Sequence, residues 1–123
     1  MKKILLIVLL THCLCFAQIN FLTDRIYLKV LNGINLTITY DYKGTDTIAL
    51  TGIEAIDDLN YSNNCIQIER LFTGEDAILS RWYIFYFNTN SVEDVKESYD
   101  YLGDYVESTD LVYINEVGWI PND

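Results

Sequence analysis

Residues 82–87, Trp-Tyr-Ile-Phe-Tyr-Phe, are six consecutive bulky apolar or aromatic positions. The run is too short for a buried helix, and its residue types suit an extended chain. With Arg81 it reads as a central strand covered on both faces, because alternation would otherwise leave every second ring in water. Such a strand requires neighbours on both edges and packed material above and below it. Residues 25–31 (Arg-Ile-Tyr-Leu-Lys-Val-Leu) supply one apolar, β-branched candidate. Asn32-Gly33 follows, a pair that tolerates the positive φ of a tight hairpin turn. Ile34, Leu36, Ile38, Tyr40 and Tyr42 then alternate with Asn35, Thr37, Thr39 and Asp41, the period of a strand with one dry face. Lys43-Gly44 turns the chain into a third strand over 45–50, so the spacing predicts a three-stranded meander.

Thr51-Gly52-Ile53-Glu54 has the form of a capping box, opening a short helix from Gly52 to about Asn60 with Ile53, Ile56 and Leu59 on one side. Asn63-Asn64 ends it. Residues 65–72 read as a strand that Cys65 opens, and residues 73–76 as a turn. Ser91 stands as N-cap of the longest helix, Val92 to about Glu107, with Glu93 and Asp94 near the positive end of its dipole. Its apolar stripe is Val92, Val95, Tyr99, Leu102 and Val106. A last strand over 111–115 and a closing segment over 118–121 complete the chain. The order βββ-α-ββ-α-β gives an α+β fold. It is a mostly antiparallel sheet of about five to six strands, with one short and one long helix packed on it.

The N-terminus reads Met1-Lys2-Lys3, then Ile4 to Leu10 without a polar residue, then Thr-His-Cys-Leu-Cys-Phe-Ala to Ala17. A positive start, a short apolar core and a small residue before the cut are the marks of a secretory signal peptide. The apolar stretch is shorter than the ~20 residues of a membrane span. Residues 1–17 are therefore expected to be cleaved, leaving 18–123 as a single exported α+β domain, periplasmic or secreted. Cleavage takes His12, Cys13 and Cys15 with it, so Cys65 is the one cysteine left and no histidine remains. That excludes an internal disulfide, histidine-dependent triads and His-containing zinc sites. Cys65 itself reads as a buried small hydrophobe. Loss of Lys2 and Lys3 leaves six basic residues against 18 acidic ones, a net charge of −12. Nucleic acid and anionic membrane would both repel such a surface.

The long helix carries a second stripe, Glu93, Glu97, Asp100, Asp104 and Glu107, spaced 4, 3, 4 and 3. At about 100° per residue these carboxylates face away from the apolar stripe, with Tyr101 and Tyr105 along their border. Lys96 is the single cation among them. Like charges at these spacings cost a few tenths of a kcal/mol per pair. The seven residues are therefore a candidate binding face for a basic partner, carboxylates supplying charge and tyrosines rigid contact area. The competing reading is an ordinary solvated helix face. Asp41 and Asp46 flank a glycine turn without the regular oxygen ligands of a calcium loop. No metal site, cofactor or catalytic residue is expected, since no nucleophile elbow, phosphate loop or zinc-protease motif occurs.

In character the chain is similar to periplasmic inhibitor and immunity proteins of bacteria: small, exported, strongly acidic and histidine-free once cut. That similarity transfers no residue. It implies a binding protein that captures a basic protein partner through an acidic helix face. An extracellular structural module, or one contacting carbohydrate or peptide through a tyrosine-rich sheet, is the alternative from another class. A small carboxylate-dependent hydrolase ranks third, because about a hundred residues leave little room for a cleft gripping several sugars.

Overall fold

The computed structural model describes residues 20–89 and 91–114. The N-terminal segment 1–17 and the closing segment 118–121 lie outside them, as does Asn115. Contacts divide the chain into Thr23–Val112 and a second unit of Met1–Leu22 with Tyr113–Asp123. In the second unit, Ile114 N–H donates to the Asn20 carbonyl (2.6 Å), and the rings of Phe21 and Tyr113 meet edge to face at 6.3 Å.

The elements run β1 (Phe21–Val30), β2 (Thr39–Lys43), β3 (Asp46–Leu50), α1 (Glu54–Asn63) and β4 (Cys65–Arg70). A 3-10 turn (Leu79–Arg81) then leads to β5 (Trp82–Phe87), α2 (Val92–Asp100) and β6 (Val106–Tyr113). The fold is α+β in the expected order βββ-α-ββ-α-β. A four-stranded antiparallel sheet, β4-β5-β1-β6, stands beside the two-stranded pair β2-β3, with both helices packed on it.

The expected meander does not form. β1 is antiparallel to β5, Ile26 facing Phe85 and Leu28 facing Tyr83, and β6 lies along its other edge. With both edges of β1 occupied, the segment after Asn32-Gly33 has no strand there to join. The turn itself is present: Gly33 has φ 89°, and Ile34 N–H donates to the Leu31 carbonyl at 3.0 Å. Residues 34–38 keep the half-buried and exposed alternation without entering a ladder. β2 pairs instead with β3 through the two-residue turn Gly44-Thr45, Lys43 facing Asp46.

The long helix is also shorter than its periodicity suggests, ending at Asp100. Val92, Val95 and Tyr99 of its stripe are buried, but Leu102 lies in a turn and Val106 enters the core from β6. Helix continuation would leave one edge of β1 without a partner, and a row of unpaired backbone groups costs more than one lost helical turn gains. β6 thus runs over 106–113, beginning five residues before the expected strand.

One face of the four-stranded sheet carries the core: Ile26, Leu28 and Val30 of β1, Tyr83, Phe85 and Phe87 of β5, with Ile68 and Cys65 of β4. Tyr99 lies against it, its ring 5.7 Å from both Phe85 and Phe87. The aromatic strand is therefore central but dry on one face only. On its other face Trp82, Ile84 and Tyr86 are half-buried, as are Arg25, Tyr27 and Lys29 beside them.

The two helices meet through a buried polar join. Tyr99 Oη donates to Asn60 Oδ1 at 2.5 Å, and Asn60 Nδ2 donates to the Ala49 carbonyl at 2.8 Å, tying α2, α1 and β3 together. The expected capping box does not form: α1 begins at Glu54 with Ile53 at its N-cap and no side-chain cap, and Thr51, two residues before that cap, pairs with Asp57 and not Glu54. Asp57 Oδ1 accepts from the Thr51 N–H (2.7 Å) and hydroxyl (2.8 Å), while Thr51 Oγ1 accepts from Ile53 N–H at 3.2 Å. Asn64 in the left-handed region (φ 56°) closes the helix. Tyr99→Phe keeps the ring but leaves Asn60 Oδ1 unpaired in the interior, a cost of about 1–3 kcal/mol. Urea denaturation should show a lower midpoint at unchanged slope. A loss below about 0.5 kcal/mol would mean that this join contributes nothing.

Candidate functional site

The seven residues of the predicted binding face are divided by the end of the helix. Glu93 and Glu97 are exposed on α2, one turn apart. Asp100 is its last residue, where it accepts from Lys96 Nζ at 3.0 Å and from the hydroxyl of Thr109 on β6. Tyr101 caps the helix and is 80% exposed. Asp104 and Tyr105 lie in the turn that follows.

Glu107 leaves the group altogether, which corrects the continuous five-carboxylate stripe. It sits on β6, next to β1, where Glu107 Oε2 is 2.7 Å from Lys29 Nζ and its Oε1 is 2.9 Å from Arg81 Nη1. Arg81 also donates to the Val30 carbonyl at 3.3 Å. Hydrogen bonds from Lys29 and then Arg81 hold the Glu107 carboxyl below the usual carboxylate range. Glu107 is therefore a clasp between β6, β1 and the start of β5, and its charge is locally neutralised.

Further carboxylates are exposed on the two helices. Asp94 is exposed on α2, and Glu54 and Asp58 are exposed on α1, which packs beside it. A concavity of about 570 Å³ lies between the two helical regions, lined by Ala55 of α1 and by Tyr101, Leu102, Gly103, Asp104 and Tyr105. Sequence periodicity could not place Ala55 there, because the proximity arises from helix packing. A second concavity, of about 370 Å³, is lined by Asp46, Thr47, Asn64, Ile66 and Asn88 among others. Ile66 stands where the register of β4 against β5 shifts, between Cys65 and Gln67.

The outer face of the sheet was not singled out by residue. There Arg25 lies 4.7 Å over the Tyr86 ring and Lys29 lies 5.6 Å from the Trp82 ring centre. The alternation of Arg25, Tyr27 and Lys29 in a strand was its signal. Arg25 also pairs with Asp24 at 2.9 Å, which lowers the Asp24 pKa. Burial, with the charge of Glu69 adding to it, pushes Tyr86 up.

Cys65 is buried as expected, and burial pushes its thiol up to about 12, so it carries almost no thiolate near neutral pH. Among the described residues no group of three or more His, Cys, Asp or Glu side chains is placed to hold a metal ion. No described helix is long and apolar enough to cross a membrane. No family model, curated protein or solved structure matches the chain.

The Glu107 clasp has a pH signature. Its folded pKa lies below the unfolded value of about 4.3, so its stabilisation is complete above that value and disappears as pH falls through the lowered one. Glu107→Gln should lower Tm near neutral pH, and the two Tm curves should converge in acid. Parallel curves from about pH 7 to about pH 3 would show that the clasp does not titrate.

Proposed function

We propose that this chain is a small acidic exported binding protein, periplasmic or secreted. In this reading it is of the inhibitor or immunity type and captures a basic protein partner without catalysis or a cofactor. The contact surface is the exposed side of α2 with the turn after it: Glu93, Glu97, Tyr101, Asp104 and Tyr105. Asp100 borders it, with its charge shared by Lys96.

One observation carries this reading. The described cationic side chains are engaged close to home: Arg25 with Asp24, Lys29 and Arg81 with Glu107, Lys96 with Asp100, and Arg70 with the Gly74 carbonyl at 3.4 Å. Glu93, Asp94, Glu97 and Asp104 have no such ion pair among the described residues. Their field therefore extends into solvent, where it accelerates encounter with a basic surface and falls away with salt. The carbohydrate reading fits the outer sheet face less well. A sugar stacks on open ring faces, and Arg25 and Lys29 already lie over Tyr86 and Trp82.

Glu93→Lys with Glu97→Lys changes two exposed side chains and leaves the core alone. A basic protein retained from the organism's own envelope or secreted fraction should be released by high salt. It should also bind this double variant about tenfold or more weakly, since each exposed pair is worth up to ~1 kcal/mol and reversal adds repulsion. Equal retention by the variant would make the α2 face ordinary solvated surface.

A further inference from the structure

The turn after α2 has more order than an exposed connection needs. Tyr105 N–H (3.0 Å) and Val106 N–H (2.8 Å) both donate to the Leu102 carbonyl, and Leu102 N–H donates to the Tyr99 carbonyl at 3.1 Å. The Tyr105 carbonyl in turn accepts from Leu31 N–H at 2.9 Å, fixing the turn to the end of β1. Its residues line the concavity beside Ala55. Small residues leave the concavity open: Ala55 contributes a single methyl, and at Gly103 an added Cβ would meet nothing within 4 Å. Gly103 has no positive φ, so the backbone does not demand glycine there. Tyr101, Tyr105 and the exposed Asp104 are among the residues that line that space, and Asp104 has no ion pair among the described residues.

The geometry points to a notch for one arginine side chain of the basic partner, held by Tyr101, Asp104 and Tyr105. This inference rests on the binding function proposed above and specifies the group that the partner inserts. Aromatic faces attract a cation, and a planar guanidinium stacks on them while its edge donates to a carboxylate. An ammonium offers a compact, strongly hydrated charge that gains less from the rings. The ordered turn adds to affinity, because its backbone needs no further fixing when the ligand enters. Glu93 and Glu97 then act at longer range, steering the partner toward the notch.

The test uses N-acetyl-arginine amide as probe, with N-acetyl-lysine amide and N-acetyl-norleucine amide as comparisons, followed by amide-resolved NMR. Arginine amide should give saturable shifts at Ala55 and residues 101–105, larger than those from the lysine probe and absent with the norleucine probe. Tyr101→Ala should weaken the binding about two- to fivefold, the worth of an exposed cation–π contact. Asp104→Asn should weaken it by a similar factor. Both side chains are exposed, and unchanged spectra elsewhere report that the variants fold. Shifts that fail to saturate, spread over the acidic surface or persist in both variants overturn the notch. An oligolysine titration of the Glu93→Lys/Glu97→Lys variant separates the two proposals. If oligolysine binding is lost there while arginine amide never saturates the notch, the acidic-face reading stands and the notch falls. If oligolysine ignores the reversal while arginine amide saturates the notch, the notch stands and the steering face falls.

Discussion

β1 is hydrogen-bonded to β5 on one edge and flanked by β6 on the other, and the remaining architecture follows from that central position. Ile26, Leu28 and Val30 enter the core from its inner face, while Arg25, Tyr27 and Lys29 line its outer face. Because neither edge is open, β2 must find another partner, and β3 is the nearest in sequence. Because β6 must reach β1, α2 stops after Asp100 and the chain turns within five residues. The helix end, the notch beside it and the Glu107 clasp are thus consequences of one strand pairing.

The helical layer is fixed in depth by few polar groups. Asn60 uses its amide on the Ala49 carbonyl and its oxygen on the Tyr99 hydroxyl, so three elements share one satisfied side chain in a dry environment. Apolar packing of Ile56, Val92 and Val95 supplies most of the burial, but it tolerates sliding. A buried amide does not, because displacement would strand its donor and acceptor without water. The position of α2 is set in this way, and with it the direction in which Glu93, Glu97 and Tyr101 face.

Local patterns were legible wherever one element decides its own shape. That 82–87 is a strand, that 39–42 is extended, that the chain turns at Gly44 and that Cys65 is buried all follow from neighbours in sequence, whereas cover on a single face of 82–87 and the missing ladder over 34–38 do not. Patterns failed where a distant partner decides. Asn32-Gly33 turns the chain as its residue types require, yet no turn signal states which strand will lie beside β1. Residues 101–107 match a helix as well as they match a turn and a strand, and only the open edge of β1 separates the two. Of the candidate binding face, Glu93, Glu97 and Tyr101 were recoverable from helical spacing. The grouping of Asp104 and Tyr105 with Ala55, and the removal of Glu107 to an ion pair across the sheet, depend on tertiary contacts.

The carboxylates fall into two groups, those with a local partner and those without one among the described residues. Glu93 and Asp94 lie in the first turn of α2, where the helix dipole stabilises carboxylates whatever their further use. Glu97 and Asp104 have no such reason. Glu97 stands mid-helix one turn from Glu93, a like-charge spacing that costs a few tenths of a kcal/mol, and Asp104 occupies a turn that its side chain does not brace. Asp76 shows what a structural carboxylate looks like in this protein: its Oδ1 accepts from Ile78 and Leu79 N–H at 2.9 Å each, which lowers its pKa. Asp57 does the same work for Thr51. Unlike those two, Glu97 and Asp104 make no side-chain hydrogen bond or ion pair among the described residues, and Tyr101, which lies between them in sequence, is the most exposed tyrosine. In the binding function proposed above, these two carboxylates and the largely exposed Tyr101 ring are the groups left to meet the basic partner.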